Sequence, residues 1–561
     1  MERGQAAGQD FLPARGAGGN IKLTSDVELD KPVDIGNTTT IDLNGYSITP
    51  EPNWSRTEDG DYLVSVKRGG NLTIEDSSTA KTGKIAGGET GEVYAAVKVT
   101  ITGENDSTTQ AILTVNGGEL QGYYYAVAGN GTRHNTKITI NGGKLIGTNG
   151  AGIYHPQDGT LTIAGGEITG EDTAVELRSG TLKISGGKLT ATAKQYSETQ
   201  NNNGTTVSGA ALAVSQHTTK KNISVTITGG EFNGVYALSE TNVQNEENTE
   251  NVKIVTISGG TFNGTVESDD CTDFIAGGTF SEDVSDYVQP GMKLEDGKVV
   301  IDEATAVAKI GSVGYDTLAA AIAAAQDGDT VTMLKAYDAT SEETITLDTG
   351  KKVTLDLGGF ELTLSRFNLV QGWLTVENGR VKSNPDNGQA FNVYAGSTAT
   401  DELYTKLVIE DDVTINAAYG ICLFPGSGNA GYSSAIEVYG NIATGGIFVS
   451  GNLGNDISTA GDMASSNKIP TVTIYDGAVV NNGTEGQGIA MNGLANVTVN
   501  GGTITGSEAI GVKRGTLTVN GGDFNSNGAY VDPIEANNNG TENTGATISI
   551  TSTYNYAGTI A

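Results

Sequence analysis

The chain has 561 residues, of which 80 are Gly, 10 Pro and 2 Cys, and 37% are hydrophobic. That is too much apolar side chain for a disordered tail and too little Gly plus Pro for low-complexity disorder. Thirty-three basic against 66 acidic residues leave a net charge of −33, which repels phosphate backbones and anionic lipid and so excludes nucleic-acid and membrane-surface partners.

Residues 1–18 read as a flank: the opening MERGQAAGQDFLPARG lacks the apolar core of a signal peptide. No window reaches the roughly 18 apolar residues of a membrane span. The flank and the strand-like end TISITSTYNYAGTI suggest a segment of a longer protein. From Gly19 to about residue 303 lies a first domain, which opens on strand-like sequence such as TIDLNGYSIT (40–49). Trp54 follows, in an insertion between strands (EPNWSRTEDGDY).

A ten-residue phrase then recurs: LTVNGGELQG (113–122), ITINGGKLIG (138–147), LTIAGGEITG (161–170) and LKISGGKLTA (182–191). It returns as VTITGGEFNG (225–234), VTISGGTFNG (255–264), VTVNGGTITG (497–506) and LTVNGGDFNS (517–526). The first glycines Gly117, Gly142, Gly165 and Gly186 are 25, 23 and 21 residues apart. The 43-residue step from Gly186 to Gly229 reads as two such periods with one degenerate copy between. Each copy alternates Leu161 and Ile163 inward with Thr162 outward, bends at two glycines, and resumes with Ile168 inward. A further strand precedes each phrase, as in Gly152-Ile153-Tyr154-His155 and Ala174-Val175-Glu176-Leu177. A period near 22 residues holds two or three strands and no ordinary helix, which excludes βαβ folds. Identical phrases at rung-like spacing fit a parallel coil that stacks like residues on like, with glycine where the chain bends sharply. The expected fold class is all-β: two tandem right-handed parallel β-helices.

Residues 277–302 (GGTFSEDVSDYVQPGMKLEDGKVVID) close the first domain, and a second runs from 304 to 561. It opens with one short amphipathic helix, expected at about 316–326, with Asp316 or Thr317 as N-cap and Leu318, Ile322 and Ala325 on one face. Such a helix suits an exposed first rung as a lid. The domains are internal duplicates. Asp42 matches Asp356 at an offset of 314, whereas Gly152 matches Gly488 at 336, so one half has gained or lost about one coil.

The helix followed by DGDTVTML (327–334) resembles the N-terminal cap of pectin-lyase-like right-handed β-helix proteins. The GGxFxG rungs and the GGTFSEDVSDYVQPG close are similar to repeat regions of large Gram-positive, often gut-bacterial, cell-surface proteins. The resemblance covers nearly the whole chain from Gly19. It implies an extracellular, cell-surface setting and raises carbohydrate chemistry as a function.

Pectin-cleaving hydrolases of that fold combine Asn-Thr-Asp, Asp-Asp, His-Gly and Arg-Ile-Lys on successive rungs, with two carboxylates flanking the scissile bond. This chain has Asp269-Asp270 and Asp411-Asp412, neither of the two basic motifs, and only His134, His155 and His217. The acidic pairs therefore read as charged corners, and no catalytic residue is assigned. His155 falls level with Leu177, in a packed inward or end-of-strand slot. No compact acidic calcium loop or RTX nonapeptide is present, so no cofactor or metal site is expected beyond diffuse Ca²⁺ attraction. Cys271 and Cys422, 151 residues apart, indicate neither disulfide nor zinc site. The glycine run GSGNAG (426–431) lacks the Lys-Ser/Thr of a phosphate loop.

Ligand contacts are sought among aromatics, because a sugar's apolar face packs on a ring. Tyr123, Tyr124 and Tyr125 form the densest patch. In a strand the outer two share a face opposite the middle one, unless the segment is a loop. Glu176 and Arg178 bracket Leu177 and so point to one side, beside Tyr154 on an outer face, either as a sugar contact or as a solvated ion pair. Trp54 completes the candidates; Trp373 sits in a rung at a position like that of Asn71. The leading expectation is a non-enzymatic, monomeric adhesin or stalk segment presenting loops to a glycan or host protein. A carbohydrate-active enzyme of the same fold and a pure structural spacer are the alternatives.

Overall fold

The structure is a computed structural model describing residues 18–52, 54, 62–87, 93–100, 109–241, 251–342, 344–383, 388–394, 405–424, 434–450, 469–484, 486–513 and 515–527, and the backbone of 534–536 and 547–550. The chain divides into two compact units, residues 1–300 and 301–561. Each is a parallel β-helix whose rungs contain three short strands, one on each of three faces. In the first unit Thr136–Ile140, Gly159–Ile163 and Gly180–Ile184 pair in parallel on the first face. Lys144–Gly147, Glu167–Gly170 and Lys188–Ala191 do so on the second face. Ala151–His155, Thr173–Leu177 and Ala210–Val214 form the third. In the second unit, from Thr330–Met333 onward, strands likewise pair in parallel with the strand three places on in chain order.

Stacking places like on like. Leu113, Ile138, Leu161, Leu182 and Val225 are successive partners and all fully buried, while Thr114, Thr139 and Thr162 between them face outward. Near the closing end the interior column becomes aromatic. Phe232, Phe262 and Phe280 stack with ring centroids 4.5 and 4.7 Å apart.

The glycine corners align in a column, and the two glycines of a pair are required for different reasons. The second has a left-handed backbone, with φ of 88° at Gly143 and 89° at Gly166, where L side chains are strained. The first has ordinary φ, but a Cβ on Gly165 would lie 2.5 Å from the Asn141 carbonyl oxygen of the preceding rung.

The 43-residue step resolves differently from the sequence expectation. Ile184 pairs directly with Ile227, so the Gly186 and Gly229 phrases belong to adjacent rungs. The additional length includes an antiparallel hairpin, Ser197–Asn201 with Gly204–Ser208, inserted before the third face. The first unit closes where Gly278 and Thr279 pair antiparallel with Val299 and Lys298.

In the second unit Thr317 caps a helix at Leu318–Ala324, its hydroxyl accepting from the Ala320 amide, and Leu318, Ala321 and Ile322 are buried. Edge protection is shared with a hairpin: Ala308–Ile310 pairs antiparallel with Val313–Tyr315 and with Thr330–Met333 of the first rung. The matched segments also show the extra coil. Asp42 and Gly152 are separated by three rungs, Asp356 and Gly488 by four. Among the described residues no helix is long and apolar enough to cross a membrane.

Candidate functional site

Between the second and third faces of the first unit the chain turns a corner, and in the early rungs this corner is aromatic. Trp54 occupies it after Ser47–Pro50, Tyr94 one rung later before Ala95–Val99, and Tyr123 and Tyr124 in the next, before Tyr125–Ala128. Tyr123 and Tyr124 are in a bend, so the strand alternation does not apply to them, and all three tyrosines of the run are half-buried. Tyr124 is the hub, edge-on to Tyr94 at 4.6 Å and to Tyr123 at 4.7 Å, and 6.1 Å from Tyr125. Tyr94 was not singled out in the sequence, although its place before a strand repeats that of the Tyr run one rung on. Trp54 is 8% exposed, buried rather than projecting on a loop.

Along the third face the neighbouring rungs continue the cluster. Tyr125 stacks on Tyr154 with centroids 5.0 Å apart and planes 18° from parallel. The opposite neighbour of Tyr154 is Arg178, its guanidinium carbon 5.4 Å from the ring centre. Register explains this, because Tyr154 pairs with Glu176 and Glu176 lies two residues before Arg178. Glu176 and Arg178 do point to one side beside Tyr154, but the pair is not solvated. Arg178 Nη2 lies 2.6 Å from Glu176 Oε1, with side-chain exposures of 1% and 4%. The inserted hairpin covers them, and Thr206 accepts a second bond from Nη2 at 2.7 Å. Arg178 Nη1 has no hydrogen-bond partner.

Burial sets the electrostatics. It pushes the Glu176 carboxyl up, opposed by the adjacent guanidinium. For Arg178 burial works against the charge, but Glu176, Tyr154 and Tyr125 together outweigh it and the guanidinium is held above its ordinary value. Burial raises the Tyr154 phenol to about 12 and that of Tyr125 further, with Glu176 adding to the rise. Both phenols thus remain protonated. The faces of Tyr125 and Tyr154 are spent on each other and on Arg178, so this stack backs the site. Tyr94, Tyr123 and Tyr124 carry the ring surface at the corner.

The other candidates are structural. His155 is fully buried opposite Leu177. Its Nδ1–H donates to the Ser179 carbonyl at 3.1 Å, Nε2 has no partner, and burial drives the ring down to about 4. His217 is 6% exposed and accepts at Nδ1 from the Thr219 amide, whereas His134 is half-buried. Asp270 donates its amide to the buried Glu240 at 2.9 Å, next to Asp269. Asp412, beside Asp411, accepts from the Asn378 amide at 2.8 Å; both acidic pairs are corners. Trp373 is outward at the Asn71-like position, with the Lys352 and Lys406 ammonium groups 4.2 and 5.7 Å from its ring centre. Cys271 and Cys422 are free and buried, and the glycine run 426–431 lies outside the described residues. Among the described residues no three His, Cys, Asp or Glu side chains are grouped to hold a metal ion.

Comparison with known proteins found no match: no protein-family model, no curated protein and no solved structure is significantly similar to this chain.

Proposed function

We propose that this chain is an extracellular, non-enzymatic protein of a bacterial cell surface, of the Gram-positive gut type. In this reading each pectin-lyase-like β-helix is a rigid element of a stalk-type protein, and the first unit presents a carbohydrate-binding corner, as an adhesin does. The observation that carries the reading is the contiguous, half-buried cluster of Tyr94, Tyr123 and Tyr124, braced by the Tyr125–Tyr154–Arg178 stack. Tyrosine suits a glycan because its ring packs on the apolar face of a sugar while its hydroxyl exchanges hydrogen bonds with the sugar's own. A pre-ordered cluster on a rigid corner also loses little side-chain entropy on binding. Binding is favoured over cleavage because Glu176, the buried acid nearest the rings, is already committed to Arg178. A glycosidase needs a second carboxyl group facing a free one across the bond.

A glycan and host-protein array tests this reading. Reproducible binding that falls about tenfold or more in Tyr123→Ala, with melting unchanged, is expected. Silence on the arrays supports the spacer reading. New reducing ends or unsaturated products from a polysaccharide panel would put the enzyme reading first.

A further inference from the structure

The second face of the first unit carries a pattern that neither its fold nor the tyrosine corner uses. Immediately after Gly83 and the glycine pairs of the later rungs, register aligns Lys84, Glu119, Lys144, Glu167, Lys188 and Glu231 in one outward column, alternating in charge at every rung. The column spans five rung steps, about 24 Å at the spacing of neighbouring strands. Over the same rungs the adjoining outward column, which includes Gln121, Ile146, Thr169 and Thr190, is uncharged. Over these six rungs the two columns therefore sum to zero on a molecule of net charge −33.

Stacking does not require the alternation. The equivalent column of the second unit runs Glu361, Arg380, Thr414, Asn441, Val479 and Thr503, without alternating charge, and holds its parallel register. Four of the six charges are not consumed within the chain: Lys188 and Glu231 form an ion pair at 3.0 Å, whereas Lys84, Glu119, Lys144 and Glu167 form none among the described residues. Lys144, Glu167 and Lys188 are exposed.

An alternating row of even length is its own complement when reversed. We infer that this face is a self-association surface, on which a second copy of the chain docks antiparallel about a two-fold axis passing between Lys144 and Glu167. The axis sets Lys84 against Glu231, Glu119 against Lys188 and Lys144 against Glu167, each twice, as an isologous interface requires. Elsewhere the excess negative charge repels a second copy; on this face six opposite-charge contacts form together. Each is individually weak and screened by salt, but the long-range repulsion between two chains of net charge −33 is screened first, because it acts beyond the Debye length. The dimer is therefore expected at about 0.1 M salt and the monomer at about 1 M. This departs from the monomeric segment expected from sequence and is independent of the tyrosine site.

Sedimentation analysis of the full chain tests the inference. A concentration-dependent dimer at about 0.1 M salt, dissociating at about 1 M, is expected. Lys144→Glu places like charges across the axis twice and should weaken association by at least about tenfold. The double variant Lys144→Glu/Glu167→Lys restores the contacts across the axis while breaking alternation within each copy's own column, so it should dimerise again. Thermal melting confirms that each variant is folded. A wild type that stays monomeric at about 0.1 M salt, a Lys144→Glu variant that dimerises as well as wild type, or a double variant no better than the single one would overturn the inference.

Discussion

Ile163 and Thr162 are chain neighbours in opposite environments: Ile163 is fully buried in the aliphatic column and Thr162 faces outward. Ile163→Asp places an unpaired carboxylate in the dry interior and should cost several kcal/mol, whereas Thr162→Asp should lie within about 0.5 kcal/mol of wild type. Denaturant unfolding of the two variants checks the inward–outward phase. Glu240 is a different case, a carboxyl that the fold buries deliberately near the closing end. Its Oε2 accepts from the Ser268 hydroxyl at 2.8 Å and the Asp270 amide at 2.9 Å, and Oε1 has no partner. Burial raises it to about 7 from an ordinary 4.5. The folded state thus keeps a proton that the unfolded chain releases, so this contribution is complete below the unfolded pKa and fades as pH rises through about 7. Glu240→Gln should flatten the fall in melting temperature between those pH values; an unchanged slope would assign it to other groups.

The element on which the fold turns is the glycine corner. Gly165 is held by the close carbonyl of Asn141 and Gly166 by its positive φ. Alanine at either should cost about 1–3 kcal/mol in chemical denaturation. The exposed Ala164 beside them occupies the column of Asn116 and Asn141, which bond to each other at 2.9 Å, so Ala164→Asn should be neutral or slightly stabilising. These corners were legible in the sequence because steric necessity at a bend admits only glycine and so repeats the same letters. The cap helix was legible for a similar reason, its threonine cap and apolar face being local signals. The inserted hairpin was not: SETQN and GTTVS are polar and resemble loop sequence, and only docking onto the third face distinguishes them. That docking is also why Glu176 and Arg178, which local sequence places in water, are buried. The alternating Glu and Lys after the glycine pairs was visible in the repeated phrases, but its meaning depends on knowing that consecutive phrases become neighbours in space.

At the scale of the whole molecule, one plan was used twice with different surfaces. Both units stack aliphatic residues behind glycine or acidic corners, and the second has one more rung between matched segments. Their outer columns diverge: tyrosines and a charge ladder in the first, the Trp373–lysine cluster and stacked Tyr439–Tyr475 in the second. A solenoid permits this because each rung touches only its neighbours, so outward positions vary without disturbing the core. The proposed binding corner and the proposed association face therefore both depend on successive turns lying directly over one another. Spin-label distances along the first face measure that arrangement most directly. Thr40, Thr73, Thr114, Thr139, Thr162, Lys183 and Thr226 are successive partners, so labels at Thr40 and Thr162 should lie about 19 Å apart and labels at Thr40 and Thr226 about 29 Å. With Cys271→Ala and Cys422→Ala as background, distances that grow by one strand spacing per rung are the expected result. Distances that fail to grow with rung number would contradict the stacked coil.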